Sequence, residues 1–315
     1  MKKYKRIEIY VWWTCNHKCT YCIEYENMEK FWNKRVTKYE ILKKLLKYKK
    51  EWYNHVTYLW GEPFIQPVFE DALKIAKKLW YTILVTTNCT VLHIDNIAKK
   101  YLPYIDELIL SVEAIDEDLQ KKISRTSVVV KWDEVFENIK KYWRWKYLKV
   151  NTVITKDNLN KLYDIVKYVV WRGVKNIAIT YPDVNNTYYY NNDFIRSRII
   201  VKYSDCMLQI KKIKEYCGKK WVSLKIVDFP FCVFPKNELK DYIKLTDDYD
   251  YGTRVKLDGM GNILDRWQLE SKYKLPRERA RIEKCKKCKY FNICWWPSMV
   301  YVEIYGENKI IPLYQ

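Results

Sequence analysis

Apolar positions in the first 180 residues follow two alternating periods. Short runs rich in β-branched and aromatic residues occur at Ile7–Trp13, Val56–Trp60, Thr82–Thr86, Glu107–Val112, Leu148–Ile154 and Asn176–Thr180. Runs of this kind predict strands. Between them, apolar residues recur every three to four positions over Lys38–Glu51, Val68–Leu79, Ile94–Tyr101, Trp132–Tyr142 and Leu159–Val170, which predicts amphipathic helices. The first helix opens with a capping box, Thr37 followed three residues later by Glu40. Regular βα alternation predicts parallel strands joined by right-handed crossovers. Six such units make a partial (β/α)6 TIM-like barrel of the α/β class, with functional groups at the C-terminal strand ends.

After Tyr181-Pro182 the pattern changes. A polar, Tyr/Asn-rich stretch from Asp183 to Asp193 reads as a loop, and a helix is expected over Arg196–Tyr216, followed by short strands and a cysteine-rich end. This divides the chain into a barrel, residues 1–195, and a C-terminal domain, residues 196–315. No apolar run reaches the ~18 residues of a spanning helix. The stretch Ile7–Trp13 contains Glu8 and lacks a small-residue cleavage site, so it reads as a strand and not a signal peptide. The expectation is a cytoplasmic protein with no membrane partner.

The formal net charge is +20, which admits an anionic partner, nucleic acid included. Lysine is spread over nearly every helix, however, so the charge by itself does not favour nucleic acid. Ten cysteines at short spacings, without an export signal, point to metal or redox chemistry.

The first strand runs directly into Cys15, Cys19 and Cys22. Three thiolates in a CxxxCxxC loop can ligate three irons of a cubane and leave the fourth open. A zinc site completed by His17 is the competing reading. Strand two ends in Trp60-Gly61-Glu62-Pro63, strand three in Thr86-Thr87-Asn88, and strand four carries Ser111-Val112-Glu113. A barrel would converge these groups around one ligand.

On these motifs the chain resembles the radical S-adenosylmethionine (SAM) superfamily over roughly residues 5–182. Cys15-x3-Cys19-x2-Cys22, with aromatic Tyr21 before the last cysteine, matches the family's cluster motif. Residues 60–63 resemble its Gly-Gly-Glu-Pro segment, with Trp60 at the first glycine. The resemblance implies that Glu62 accepts hydrogen bonds from the methionine amino group and that the backbone at Trp60, Gly61 and Pro63 approaches it. Ser111 and Glu113 look like ribose-contacting positions, although the family more often has Asp where Glu113 stands. Asn88, Asn151 and Arg125 are further cofactor-site candidates, with an ordinary structural role as the alternative for Asn151 and Arg125. Cys89 is expected in the SAM pocket without ligating metal. The implied activity is reductive cleavage of SAM at a [4Fe-4S] cluster to a 5′-deoxyadenosyl radical that abstracts hydrogen from a substrate, with a flavodoxin- or ferredoxin-type electron donor. No residue stands out as a catalytic acid, base or second hydrogen donor.

Cys285-x2-Cys288-x5-Cys294 is a second metal-type spacing. After such a core it resembles the start of a SPASM/Twitch extension, which carries auxiliary [4Fe-4S] clusters. The match is partial. No cysteine follows Cys294, and Asp265-Arg266 stand where another ligand is expected. One auxiliary cluster follows, with Cys232 as the first choice for fourth ligand, Cys217 or a substrate group as alternatives, and structural zinc as the rival metal. Relatives of this type often modify peptides or protein side chains, so a peptide substrate is expected. The alternatives are a nucleic acid or small anionic metabolite, and a zinc-stabilised binding protein without enzymatic activity.

One compositional feature stands apart. The chain has 14 tryptophans and 7 glycines, against about 22 glycines at ordinary usage of ~7%. Trp80, Trp145 and Trp171 fall at helix ends just before a strand, Trp60 at the SAM-binding segment, and Trp296 two residues after Cys294. At such positions backbone conformation or close approach calls for glycine. Either the protein is rich in true tryptophan, or UGA codons that its source reads as glycine have been written as tryptophan.

Overall fold

The computed structural model describes residues 5–10, 14–22, 24, 28–29, 35–59, 61–143, 147–182, 198–245, 255–257, 263–264, 282–294 and 297–314. Nine strands form one sheet in the order β7-β6-β5-β4-β3-β2-β1-β8-β9. The six expected strands are β1 (Arg6–Tyr10), β2 (His55–Leu59), β3 (Thr82–Thr87), β4 (Glu107–Ser111), β5 (Tyr147–Val153) and β6 (Asn176–Thr180). Each pairs in parallel with the next. Their residues are buried in near-continuous runs, as in a sheet covered on both faces.

The helices between them are α1 (Lys38–Lys50), α2 (Phe69–Lys78), α3 (Asp95–Tyr101), α4 (Glu117–Ser124), α5 (Trp132–Tyr142) and α6 (Leu162–Trp171). The capping box at α1 is present: Glu40 N–H donates to Thr37 Oγ1 at 3.2 Å and Thr37 N–H to Glu40 Oε2 at 2.7 Å. Helix α4 was not expected. Its Asp116 cap accepts from Leu119 N–H at 2.9 Å, but its buried face, Gln120, Ile123 and Ser124, is mostly polar. Buried Ile9, Tyr58, Val85, Leu108 and Leu148 line up across the sheet from β1 to β5 and form the centre of the core.

Helix α7 (Tyr203–Lys219) and β7 (Ser223–Val227) carry the barrel rhythm on beyond residue 195. β7 pairs in parallel with β6, so the sheet gains a seventh consecutive strand. Helix α7 starts seven residues later than expected, because a non-helical break at Ile200–Lys202, with Ile200 and Val201 buried, separates it from the helical Arg198 and Ile199. The expected boundary near residue 195 and the loop from Asp183 to Asp193 lie outside the described residues. At the other edge β8 (Val255–Leu257) pairs in parallel with β1, and β9 (Ile263–Leu264) runs antiparallel to β8. The sheet is open among the described residues.

The C-terminal segment docks through aromatic rings. Tyr301, on α9 (Met299–Tyr305), stacks on Tyr203 with centroids 4.0 Å apart, and Tyr203 meets Tyr181 at 4.6 Å. Tyr305 Oη donates to Ile200 O at 3.1 Å. Helix α8 (Leu239–Leu245) contributes Tyr242, whose ring stacks on Phe234 at 4.9 Å. No helix among the described residues is long and apolar enough to cross a membrane.

Candidate functional site

The CxxxCxxC loop leaves the C-terminal end of β1 and is held by two neighbours. On one side, Lys18 N–H donates to Ser124 O at 2.8 Å and Thr20 N–H to Ile123 O at 3.0 Å, so the loop sits on the last turn of α4. Arg125 caps that helix in the left-handed region (φ 53°) and its Nε donates to Lys18 O at 2.6 Å. On the other side, Glu62 N–H donates to Thr14 O at 3.0 Å, and Gln66 Nε2 reaches the same carbonyl at 2.7 Å. The cysteine loop and the end of β2 therefore move as one unit. Gly61 takes a left-handed φ of 59° at this junction, which its lack of Cβ permits.

Glu62 is wholly buried. Thr87 Oγ1 donates to its Oε1 at 2.8 Å, Phe64 N–H to the same oxygen at 3.1 Å, and Asn88 N–H to Oε2 at 2.7 Å. Burial pushes its carboxyl up to about 7, against the pull of those three donors. Oε2 has a single donor here, which leaves an acceptor direction for a ligand ammonium.

Asn88 ties β3 to the loop. Its Nδ2 lies 3.0 Å from Asn16 Oδ1 and 3.6 Å from Cys15 Sγ, and its Oδ1 accepts from Thr90. Asn16 closes the ring by donating to Thr90 Oγ1 at 2.7 Å. Sequence reasoning missed Asn16, Gln66 and Thr90. Nothing in their types separates them from ordinary loop polars until the fold places them.

Burial, and then neighbouring Cys19 and Glu113, raise the Tyr21 hydroxyl well above its ordinary value. Burial raises Glu113 to about 7, opposed by Tyr21 and the Val153 N–H. Its Oε1 is buried without a hydrogen-bond partner, an expensive state unless a ligand donor completes it. Ser111 and Asn151 face each other in register on β4 and β5. Asn151 Oδ1 accepts from Thr180 Oγ1 at 2.7 Å, so a structural partner already occupies it. Trp60 lies outside the described residues.

The three thiols are pushed up, Cys15 and Cys22 to about 12 and Cys19 well above its ordinary value. Burial is the first cause in each case. Cys15 is raised next by Glu62 and Cys19 next by Glu113, and both Cys19 and Cys22 feel neighbouring cysteines. Three crowded, buried thiols become thiolates only when a cation neutralises them, and a metal inverts the local balance in this way. His17 Nε2 lies 3.1 Å from Val128 O, which requires a proton on that nitrogen and leaves Nδ1 as the ring's acceptor. Among the described residues no three His, Cys, Asp or Glu close around a single ion. A zinc shell with Zn–S near 2.3 Å demands a tighter set than a cubane, which spreads its thiolates over separate iron corners.

A second group of sulfurs forms behind β7. Cys232, on the 3-10 turn Phe231–Val233, is raised to about 12 by burial and then by Cys294, Cys285 and Cys288. Cys285 is raised to about 11 by burial, Cys294 and Cys288. Phe231 N–H points at Cys294 Sγ at 3.4 Å, and the Phe231 ring packs edge-on against Tyr290 at 5.5 Å. Cys206 and Cys217 are buried in the apolar face of α7. Cys89 is fully buried, with its thiol toward Thr87 O at 3.6 Å.

An open parallel α/β barrel, with a three-cysteine loop at the end of its first strand and a buried glutamate at the end of its second, defines a class of enzymes that anchor a cluster and a charged cofactor together. The sequence model of the radical SAM superfamily matches residues 10–169, about half the chain, and the chain belongs to that superfamily. Two curated relatives are S-adenosylmethionine-dependent nucleotide dehydratases. The one from Flammeovirga pacifica is 27% identical over 164 residues, covering 49% of this chain and 55% of the relative. The one from Lacinutrix mariniflava is 26% identical over 193 residues, covering 57% and 40%. The chain thus spans about half the length of the curated relatives it matches. In fold it is similar to anSMEcpe with bound AdoMet and the Cp18Cys peptide, with a TM-score of 0.62 at 16% identity over 98% of this chain and 92% of that one. Streptococcus suis SuiB gives a TM-score of 0.60 at 16% identity over 98% and 72%.

Proposed function

We propose that this chain is a radical SAM enzyme that removes hydrogen from a peptide or protein side chain, with one auxiliary [4Fe-4S] cluster held by Cys232, Cys285, Cys288 and Cys294. The observation that carries the reading is the approach of Cys232, borne on the barrel side of the sequence, to three cysteines more than fifty positions later. Four thiols complete the set that an iron–sulfur cubane takes.

At the first site Cys15, Cys19 and Cys22 would hold the catalytic cluster, and Glu62 Oε2 the amino group of SAM. Glu113 Oε1, without a partner, would take a ribose hydroxyl. Bound there, the cluster and SAM supply one-electron cleavage chemistry from a flavodoxin- or ferredoxin-type donor. The chain supplies position: the Asn16–Asn88–Thr90 ring and the Arg125–Lys18 contact fix the loop, and Thr87 and Phe64 fix the Glu62 carboxylate. Burial of these groups excludes water from the reacting end.

The fold likeness to peptide-bound anSMEcpe extends over the whole chain, C-terminal part included, which supports a substrate of peptide size. A nucleotide substrate is the second reading, favoured by the two dehydratase relatives. Anaerobic reconstitution tests the cluster assignment. The wild-type chain should hold about eight irons, two cubanes, and a Cys15→Ala/Cys19→Ala/Cys22→Ala variant about half as many. A wild-type chain with a single cluster, or with zinc at Cys285, would reject the auxiliary centre. Assays of 5′-deoxyadenosine release with peptides and with nucleoside triphosphates separate the two substrates.

A further inference from the structure

Six tryptophans lie among the described residues, and they fall into different structural kinds. Trp132 and Trp143 behave as tryptophans. Each is buried (6% and 2% exposed), and each indole N–H donates at 2.8 Å, to Ala114 O and Ile105 O. Trp52, Trp80 and Trp221 behave as no tryptophan should. Their φ values are 67°, 59° and 54°, and they are 82%, 87% and 92% exposed.

All three stand in the same place. Each lies two residues past the end of its helix (α1, α2 and α7) and two or three residues before the start of the next strand. The hydrogen bonds repeat as well. Trp52 N–H donates to Lys49 O and Tyr53 N–H to Tyr48 O. Trp80 N–H donates to Lys77 O and Tyr81 N–H to Ala76 O. Trp221 N–H donates to Gly218 O and Val222 N–H to Cys217 O. This pair of reverse bonds is the Schellman helix end, whose left-handed residue is usually glycine.

The fourth example in the chain shows what the slot takes. Past α6, Gly173 N–H donates to Val170 O and Val174 N–H to Val169 O, and Gly173 has φ 94°. Trp171, expected at that slot, is instead the last helical residue, and Gly173 fills the slot two positions on. Trp145 and Trp296 lie outside the described residues.

From this partition we infer that the native protein carries glycine at 52, 80 and 221, and at 60, and that these tryptophans are UGA codons which the source organism reads as glycine. The extension to 60 rests on the SAM-site reading above. Glycine there would complete the Gly-Gly-Glu-Pro segment ahead of Glu62. The shortage of glycine and excess of tryptophan in the composition have the same origin.

The gene and the native protein test this together. Codons 52, 80, 221 and 60 should be UGA and codons 132 and 143 UGG. Tryptic peptides of the protein from its source cells should be lighter at the first four positions by the difference between tryptophan and glycine. UGG at 52, 80 or 221, UGA at 132 or 143, or native peptides that carry tryptophan at the left-handed positions would overturn it. Position 60 has its own readout, equilibrium binding of SAM to the anaerobically reconstituted chain. Trp60→Gly should bind at least tenfold more tightly than the chain with tryptophan, and equal affinity would overturn the extension to 60. The codon result stands apart from SAM binding, so a failed site reading and a failed glycine assignment are distinguishable.

Discussion

Replacing Trp52, Trp80 and Trp221 together by glycine should make the protein more stable. A side chain in the left-handed region costs about 1–2 kcal/mol through the clash of Cβ with the following carbonyl. Glycine gives back about 0.5–1 kcal/mol because its unfolded chain is freer, so the net gain is about 0.5–1 kcal/mol per site. Large surface residues normally offset such costs by burial, but these three are 82–92% exposed and have almost none to lose. They lie at three separate helix ends, where effects add to a first approximation. The triple variant should gain about 1.5–3 kcal/mol, a rise of roughly 2–5 °C in Tm for a chain of this length, read by anaerobic urea and thermal unfolding. Position decides the sign. Trp171→Gly, in the last turn of α6, should lose about 0.5–1 kcal/mol, and Trp143→Gly should lose about 3–5 kcal/mol or more as a buried aromatic. A triple variant that is neutral or less stable than the parent would refute the reasoning, since the indoles would then be making contacts worth more than the backbone strain.

Glu62→Gln should destabilise the fold by about 1–3 kcal/mol, because three donors converge on the carboxylate and an amide NH2 must face at least one of them. It should also weaken SAM binding, and unchanged stability would show that the three hydrogen bonds are not made. His17→Ala should keep its full iron content, since three thiolates suffice to hold a cubane with one open iron; loss of iron, or uptake of zinc only when His17 is present, would make the histidine a ligand. Thr37→Ala should cost about 1 kcal/mol through the lost cap. Thr37 holds the Glu40 carboxyl below its ordinary value, chiefly through its N–H. The carboxylate's contribution is present above the unfolded value of about 4.3 and fades as pH falls through the lower folded one, so the gap between wild type and Glu40→Gln should shrink in acid.

Much of this architecture was legible before any coordinates. The six strands and five of the helices follow from apolar period, and the three N-terminal cysteines with Glu62 follow from motif spacing. Helix α4 escaped because two of its three buried residues, Gln120 and Ser124, are polar, so its inward face carries little apolar period. The parallel pairing of β7 escaped because a buried five-residue run, SLKIV, does not announce its neighbour. Asn151 reads from sequence either as a ligand contact or as a structural polar group, and only the fold shows that Thr180 on the adjacent strand donates to its Oδ1. The Asn16–Asn88–Thr90 ring depends on contacts some 70 residues apart, which local pattern cannot encode. Trp80 was legible as a misplaced glycine, whereas Trp52 and Trp221 needed the backbone angle to reveal them.

The left-handed turn at residue 52 has a consequence for inheritance. If its codon is UGA, then in any cell where that triplet ends translation, synthesis halts no later than Glu51. Of the numbered elements the product would hold β1 and α1, with β2 and Glu62 never made. Such a gene cannot spread by lateral transfer into lineages with the ordinary code, and it cannot be borrowed by a virus that depends on their ribosomes. A backbone angle at one helix end would thus confine the enzyme's evolution to organisms that share its decoding.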